Sequence, residues 1–401
     1  MKILVFEHCL RLTGHRIPYA SLVAGSFAGQ QVVVGIPQLL SGESCLGDYF
    51  PPPIDIDFYP VKEQSPKPLA NSLSARKSLL ALVSKHKPDL VAIPTADGLA
   101  TLLGLFNLFG FSSLRRVRTD VCLMNGGKAR RGENGVSKFL RNLKWWITTR
   151  GPWQRLMLID AKAFMEIENP AAAKIALCPD PVPAISEKSK TKARSSLGLP
   201  VDGRLIVSVG RQDKRKGIDS LLRSFVVAGL EPNDRIALVG KLSPEIKPFV
   251  KELQSDERYA DRILTIDRFV SEKEFIDAFK ASDIVAATYP GTNCPSGVVC
   301  RAISYNRPVL ATNSGWLRWT IEELGAGVAA DMTTVKSLAV SLENAFELTG
   351  DFELTKTGKL YAKFNSVASY QETWSRGMSW SDESFTNFES FDQCLENAEI
   401  V

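Results

Sequence analysis

Histidine is scarce in this 401-residue chain, with three copies, and the seven cysteines are odd in number and scattered without a Cys-x-x-Cys pair. A zinc site or a disulfide framework needs clustered ligands or paired thiols, so neither is expected; the pattern suits a reducing cytoplasm. No uninterrupted apolar run approaches the roughly 18 residues of a spanning helix, so no transmembrane segment is expected. The first apolar run turns polar at Glu7, too early for a secretory signal. No Gly-x-Gly-x-x-Gly follows a strand pattern and there is no Walker loop, which argues against dinucleotide oxidoreductase and NTPase chemistry. The chain reads as cytoplasmic.

What is present is ordinary in bulk and uneven in detail. A hydrophobic content of 44% and a charged content of 23% suit a soluble globular protein, and 401 residues exceed one ordinary core, so two domains are expected. Between Phe111 and Arg155 eleven Lys and Arg face only Asp120 and Glu133, so this stretch carries more than the chain's whole net charge of +5.

Short apolar runs alternate with helical spacing twice over. In the first half, strands are predicted at Ile3 to Phe6, Gln31 to Ile36, Ile54 to Val61, Leu90 to Ile93, Arg116 to Leu123 and Leu156 to Ile159. Helices are predicted at Arg16 to Phe27, Pro68 to Lys85, Gly98 to Phe109 and Ser137 to Thr149. Three prolines from Pro179 to Pro183 and a polar stretch from Ala184 to Arg194 then read as a linker. Strands resume at Leu205 to Val209, Arg235 to Val239, Ile263 to Ile266, Ile284 to Ala287 and Pro308 to Ala311, with five helical stretches between and after them. Alternation of this kind implies α/β architecture, two Rossmann-like doubly wound domains. The boundaries are placed at 1–183 and 184–367. An aromatic tail of about 368–401, including Trp374, Trp380, Phe385 and Phe388, is expected to pack on a domain surface.

The loop after Val209 carries the clearest chemistry. Gly210 and Gly217 bracket Arg211, Lys214, Arg215 and Lys216, and a helix pattern opens at once. Glycine permits close backbone approach, the helix start offers unpaired N–H groups, and the cations favour an anion such as a diphosphate. A solvated basic loop is the plainer alternative.

With its neighbours, this segment resembles the GT-B glycosyltransferases, specifically glycosyltransferase family 4. The pieces run in order: Pro181-Val182, Val209-Gly210-Arg211 with Lys216-Gly217, Ala237 to Gly240, Phe269-Val270-Ser271 with Phe275, Ala281-Ser282-Asp283, and Arg307 to Gly315. The resemblance implies two domains facing a central cleft and a nucleotide-sugar donor on the second. Arg211 and Lys216 would neutralise the departing diphosphate, and the nucleobase would lie near Phe269 and Val270. Transfer would go to an acceptor of unknown type (glycan, lipid-linked or small molecule) with retention. No metal or other cofactor and no nucleic-acid partner is expected.

Two departures from the family pattern stand out. Asn293 and Arg301 occupy positions where the family carries two glutamates, the first contacting the donor sugar and the second the ribose. Asn293 still donates and accepts, whereas Arg301 has no acceptor and suits phosphate or a helix surface. Ser296 and Gly297 begin a helix whose N–H groups keep an anion site. The family's histidine near the reacting carbon is absent from Asp120 to Gly127, where Asp120 or Asn125 would have to stand in. The resemblance makes the donor phosphate the base. The replaced acidic pair keeps a second class open, a GT-B relative that binds nucleotide, glycan or protein without transfer.

In the first domain, Gly14 and His15 follow the first strand and Asp97 follows the fourth, where open α/β sheets bind ligands. His15 could equally lie in solvent, and Asp97 could cap the next helix. The basic helix has two readings. Phe139, Leu140, Leu143, Trp146 and Ile147 share one face, which is expected to pack on the sheet and leave the charges solvated. The alternative is peripheral contact with an anionic membrane, or an anionic acceptor. Asp55-Ile56-Asp57 mimics a metal-binding Asp-x-Asp but lies in an alternating strand, and reads as solvent-facing.

Overall fold

The computed structural model describes residues 1–8, 14–61, 68–126, 135–170, 174–350, 352–376 and 391–399. Trp380, Phe385 and Phe388 of the tail lie outside the described residues. So do Lys128, Arg130 and Arg131 beside the basic helix. The chain divides into two compact units, residues 1–181 with 367–401, and residues 182–366.

Unit 1 is built on seven strands: β1 Lys2–Phe6, β2 Gln31–Pro37, β3 Asp55–Tyr59, β4 Leu90–Ile93, β5 Arg118–Leu123, β6 Arg155–Leu158 and β7 Ile175–Leu177. Every pairing is parallel, in the spatial order β3-β2-β1-β4-β5-β6-β7. Parallel strands require crossovers, and helices such as Arg16–Gly25, Pro68–His86 and Leu99–Leu108 supply them. Burial on both faces explains the unbroken apolar runs Ile3-Leu4-Val5-Phe6 and Leu90-Val91-Ala92-Ile93, all solvent-free.

Unit 2 repeats the plan with six parallel strands. These are β8 Leu205–Val209, β9 Arg235–Val239, β10 Ile263–Ile266, β11 Ile284–Ala287, β12 Val309–Thr312 and β13 Gly327–Ala330. Their order is β10-β9-β8-β11-β12-β13. Both sheets are α/β doubly wound, and in both the order reverses beside the first strand, between β1 and β4 and between β8 and β11.

The sequence reading omitted β7 and β13, which are three and four residues long, too short for periodicity to register. The polar stretch Ala184 to Arg194 reads as a linker, whereas its end belongs to helix Lys190–Ser196, N-capped by Ser189. The reason is Arg194, fully buried in unit 2. Its guanidinium donates to Ala281 O at 2.9 Å, Gly203 O at 2.9 Å and Asp283 Oδ2 at 2.6 Å. A composition-based reading counts arginine as polar and misses a buried one whose donors are all used.

The helix Val367–Arg376 belongs to unit 1, where Tyr370 and Trp374 join the core formed by Ile3, Val5, Ile17 and Tyr19. Arg155 secures it, donating to Thr373 O at 2.7 Å and Trp374 O at 3.2 Å. The same side chain holds the fully buried Asp120 at 2.8 Å, and Arg118 approaches that carboxylate at 3.5 Å. Asp120 is thus a buried ion-pair partner and not a stand-in for the missing histidine. Asp57 differs from the solvent-facing reading as well: it binds Lys85 Nζ at 2.7 Å and His86 Nε2 at 2.5 Å, which holds its carboxyl below the usual range despite partial burial.

Candidate functional site

In unit 2 the candidate residues gather on the carboxyl-terminal edge of the sheet, around the strand-order reversal. Gly217 adopts φ +61° and begins helix Ile218–Val227; a Cβ there would lie 2.2 Å from Thr288 O. Only glycine allows that approach, which brings the loop after β8 against the loop after β11. Thr288 Oγ1 completes the junction by donating to Lys216 O at 3.1 Å.

Lys216 folds inward at this junction. Its Nζ donates to Val209 O, lies 5.9 Å from the centre of the Tyr289 ring, and would be 3.2 Å from a Cβ on Gly210. Burial lowers its pKa to about 8, opposed by Asp213 and reinforced by Arg215. Tyr289, buried and bonded to Ser296, is pushed up to about 12 and stays a neutral phenol. Arg211, by contrast, is 65% exposed, with its Nε 3.7 Å from Asp213 Oδ2. Asp213 is held more closely by Arg215, at 2.8 Å.

Behind the loop stands Gln212, fully buried, which sequence reasoning missed. Its Nε2 donates to Ser208 O at 2.9 Å and Gly210 O at 2.7 Å, and its Oε1 accepts from Ser208 Oγ at 2.8 Å. The only signal in the chain was a glutamine immediately after a strand-end Gly-Arg pair.

The other predicted residues lie on the same edge. Ser296 precedes helix Gly297–Ser304 without capping it through its side chain. Asn293 is exposed and abuts Gly315, where φ is +56° and a Cβ would lie 2.5 Å from Asn293 Oδ1. Any larger residue at 315 would displace the asparagine. Phe269 follows β10, 74% exposed, with Val270 half-buried beside it. Arg301 turns elsewhere: it donates to Glu272 Oε1 at 2.9 Å and covers the Phe275 ring at 4.9 Å. Its guanidinium therefore positions a carboxylate that the sequence reading had not considered.

Unit 1 has a matching edge with the opposite charge. Glu7, at the end of β1, is fully buried and accepts from His8 N at 2.8 Å, Arg16 Nη1 at 3.2 Å and Thr95 Oγ1 at 2.5 Å. Burial, aided by Arg16, lowers the His8 pKa to about 3, so this imidazole stays neutral. Gly14 and His15 are exposed at the entry to helix Arg16–Gly25, where the His15 ring lies 5.1 Å from Tyr19. His15 makes no side-chain cap.

Asp97 is not the helix cap it could have been, since Gly98 holds that position. Its carboxylate instead accepts from Met124 N at 3.0 Å and Asn125 N at 2.9 Å, fastening the loop after β5. Together with Thr101, Asn125, Arg141, Lys144 and Trp145 it lines a pocket of about 50 Å³. Cations and hydroxyls around one small cavity suit an anionic group.

The basic helix, Gly135–Thr148, departs from expectation. Its buried residues are Trp145 and Thr148, while Phe139, Leu140, Leu143 and Trp146 are exposed. Near its end the helix backbone comes so close to Gly104 that a Cβ there would fall 2.3 Å from Ile147 O, an approach only glycine permits. The Thr101–Thr148 hydroxyl pair at 2.8 Å and Trp153 Nε1 on Thr148 O at 2.9 Å complete the seat.

Residues 189–361 match the family model described as glycosyl transferases group 1. A D-inositol 3-phosphate glycosyltransferase of Xylanimonas cellulosilytica is 32% identical over 155 residues, which is 38% of this chain and 36% of that protein. The chain thus aligns with little more than a third of that relative's length. Among solved structures, HepE of Anabaena in complex with UDP superposes with a TM-score of 0.64 at 15% identity, covering 94% of this chain and all of that one. UDP-GlcNAc 2-epimerase of Neisseria meningitidis, bound to UDP-GlcNAc, superposes at 0.59 and 12% identity, over 94% of this chain and 100% of its own. Two doubly wound sheets in this order with these neighbours define the GT-B fold. The likeness to these structures shows that fold, and the glycosyl transferases group 1 match is confined to residues 189–361. Among the described residues no helix is long and apolar enough to cross a membrane.

Proposed function

We propose that this protein transfers a sugar from a nucleotide-sugar donor, bound by unit 2, to an acceptor bound by unit 1. The observation that carries the reading is Lys216, folded over Gly210 at the strand-order reversal, inside the segment that matches the glycosyl transferases group 1 model. The departing nucleoside diphosphate gains negative charge in the transition state, and a fixed cation in a water-poor setting acts most strongly there. Arg211 swings in as the second cation, and the starts of helices Ile218–Val227 and Gly297–Ser304 add backbone donors, with Ser296 and Gly297 at the second. Phe269 and Val270 flank the base, and Asn293 contacts the sugar.

Arg301 does not meet the ribose itself. It holds Glu272, whose carboxylate supplies the ribose acceptor that position 301 lacks. The donor phosphate takes the acceptor proton, configuration is retained, no metal takes part, and His15 borders the acceptor. The pocket of Asp97, Arg141 and Lys144 favours an acceptor carrying an anionic group, in keeping with a relative named for D-inositol 3-phosphate. HepE has been crystallised with UDP-glucose, which makes that donor the first to try.

Replacement of the acidic pair by Asn293 and Arg301 favours a second reading, a nucleotide-sugar binder without transfer. A thermal-shift screen of UDP-, GDP-, ADP- and CDP-sugars followed by donor hydrolysis separates the two. Stabilisation with turnover supports the transferase, and stabilisation alone supports the binder. Lys216→Ala is expected to weaken donor binding about ten- to a hundredfold, the range for one charge-assisted hydrogen bond. An undiminished shift in that variant refutes the diphosphate assignment.

A further inference from the structure

Helix Gly135–Thr148 is amphipathic and seated the opposite way from an ordinary core helix. Its inner side carries Trp145 and Thr148, while Val136, Phe139 and Leu140 are 71%, 65% and 57% exposed. Leu143 and Trp146 extend the same face, with about 15 Å between Val136 and Trp146 along the axis. At 100° per residue these five side chains fall within one third of the helix circumference, opposite the inner side. Nearby, the segment after helix Leu99–Leu108 adds Phe109 and Phe111, each about as exposed as Val136. The end of helix Leu99–Leu108 is tied to the residues that follow the basic helix by Asn107 Nδ2 donating to Arg150 O at 2.7 Å. A contiguous apolar surface of this extent on a water-soluble unit marks an interaction site.

Its surroundings identify the partner. Arg150 lies over the Trp146 ring at 4.0 Å and the exposed Lys144 flanks the apolar face, while the exposed Lys138 and Arg141 fall on the Trp145 side of the helix. Arg76 covers Phe106 at 3.7 Å and donates to Phe111 O at 3.2 Å. Among the described residues from Leu99 to Arg150 the only carboxylate is Asp120, which is buried and paired. Asp97, next in sequence, is spent on two backbone amides. A convex helix ridge of Phe, Leu and Trp bordered by cations alone complements an apolar layer beneath a negatively charged surface.

We propose that this face seats the protein on an anionic lipid bilayer, with the apolar side chains below the headgroups and the cations among them. The proposal rests on the geometry of this helix and its neighbours and is independent of the sugar-transfer reading.

Sedimentation of the full chain with vesicles of phosphatidylcholine alone, and of phosphatidylcholine with phosphatidylglycerol, tests it. Enrichment is expected on the mixed vesicles at low salt, falling as salt rises and small on the neutral ones. The double variant Phe139→Glu, Leu140→Glu is expected to lower partitioning by about tenfold for each side chain, from the apolar area withdrawn from lipid. These side chains already meet water, so an unchanged melting temperature certifies the fold. As a second readout, Trp146→Phe should abolish most of the vesicle-induced blue shift in tryptophan emission while sedimentation persists. Absence of enrichment at low salt overturns the proposal, as does undiminished binding of the double variant. Self-association in gel filtration that Phe139→Glu abolishes overturns it in favour of a second copy of this chain.

Discussion

The two units place their candidate residues at the same point of the same sheet topology and fill it with opposite charges. Where the strand order reverses in unit 1, the buried group is Glu7, tied to Arg16 and Thr95. In unit 2 the corresponding group is Lys216, half-buried and folded over the strand end it follows. The shared topology creates a crevice where two loops diverge, and the residues that line it decide which ligand belongs there. A second difference concerns continuity. Unit 2 is one stretch of chain, whereas unit 1 is completed by residues nearly two hundred positions further on.

Removing that distant contribution should have the largest effect. Trp374→Ala empties a fully buried site in the unit 1 core and is expected to cost about 3–5 kcal/mol of stability. Urea denaturation measures the loss, and nucleotide binding at low denaturant should survive it. Coupled loss of both would show that the two units do not act independently.

Glu7→Gln keeps the shape but removes the charge that Arg16, Thr95 and the His8 amide address, and about 1–2 kcal/mol should be lost. Calorimetry checks this, and donor binding should be unaffected. A donor affinity that falls with Glu7→Gln would end the division of labour drawn here.

The mildest perturbation is pH. Lys216 has a folded-state pKa of about 8 against an unfolded value near 10.5. Between those values the unfolded chain binds the extra proton, so this group makes the protein more stable as pH rises through that window. Diphosphate binding needs the charged form and should weaken about tenfold from pH 7 to pH 9. Opposite trends in melting temperature and donor affinity are therefore expected above pH 8, and both should vanish in Lys216→Ala. His8 supplies the counterpart in unit 1. Its depressed pKa makes stability fall as pH drops from about 6.5 to 3, and His8→Gln should flatten that slope.

Much of the fold was legible in the pattern of apolar residues. Leu205–Val209, Arg235–Val239, Ile263–Ile266, Ile284–Ala287 and Leu90–Ile93 coincide with the strands predicted for them. Buried parallel strands are continuous apolar runs, which is the strongest signal a single sequence offers. The candidate site was readable only where glycine and charge coincide, as at Gly210 to Gly217. Glu7 and Thr95 stand 88 positions apart and meet only because β1 and β4 are neighbours. Glu272 likewise acquired its place through Arg301, from a different helix.

Local order along the chain determined the strands, the crossovers and the basic Gly-Arg to Lys-Gly loop, because each depends on residues a few positions apart. Only the tertiary structure decided which side of helix Gly135–Thr148 faces inward. Its apolar stripe alone pointed to burial, but Thr101 and Trp153 receive the opposite side at Thr148, and that choice depends on the shape of surfaces distant in sequence.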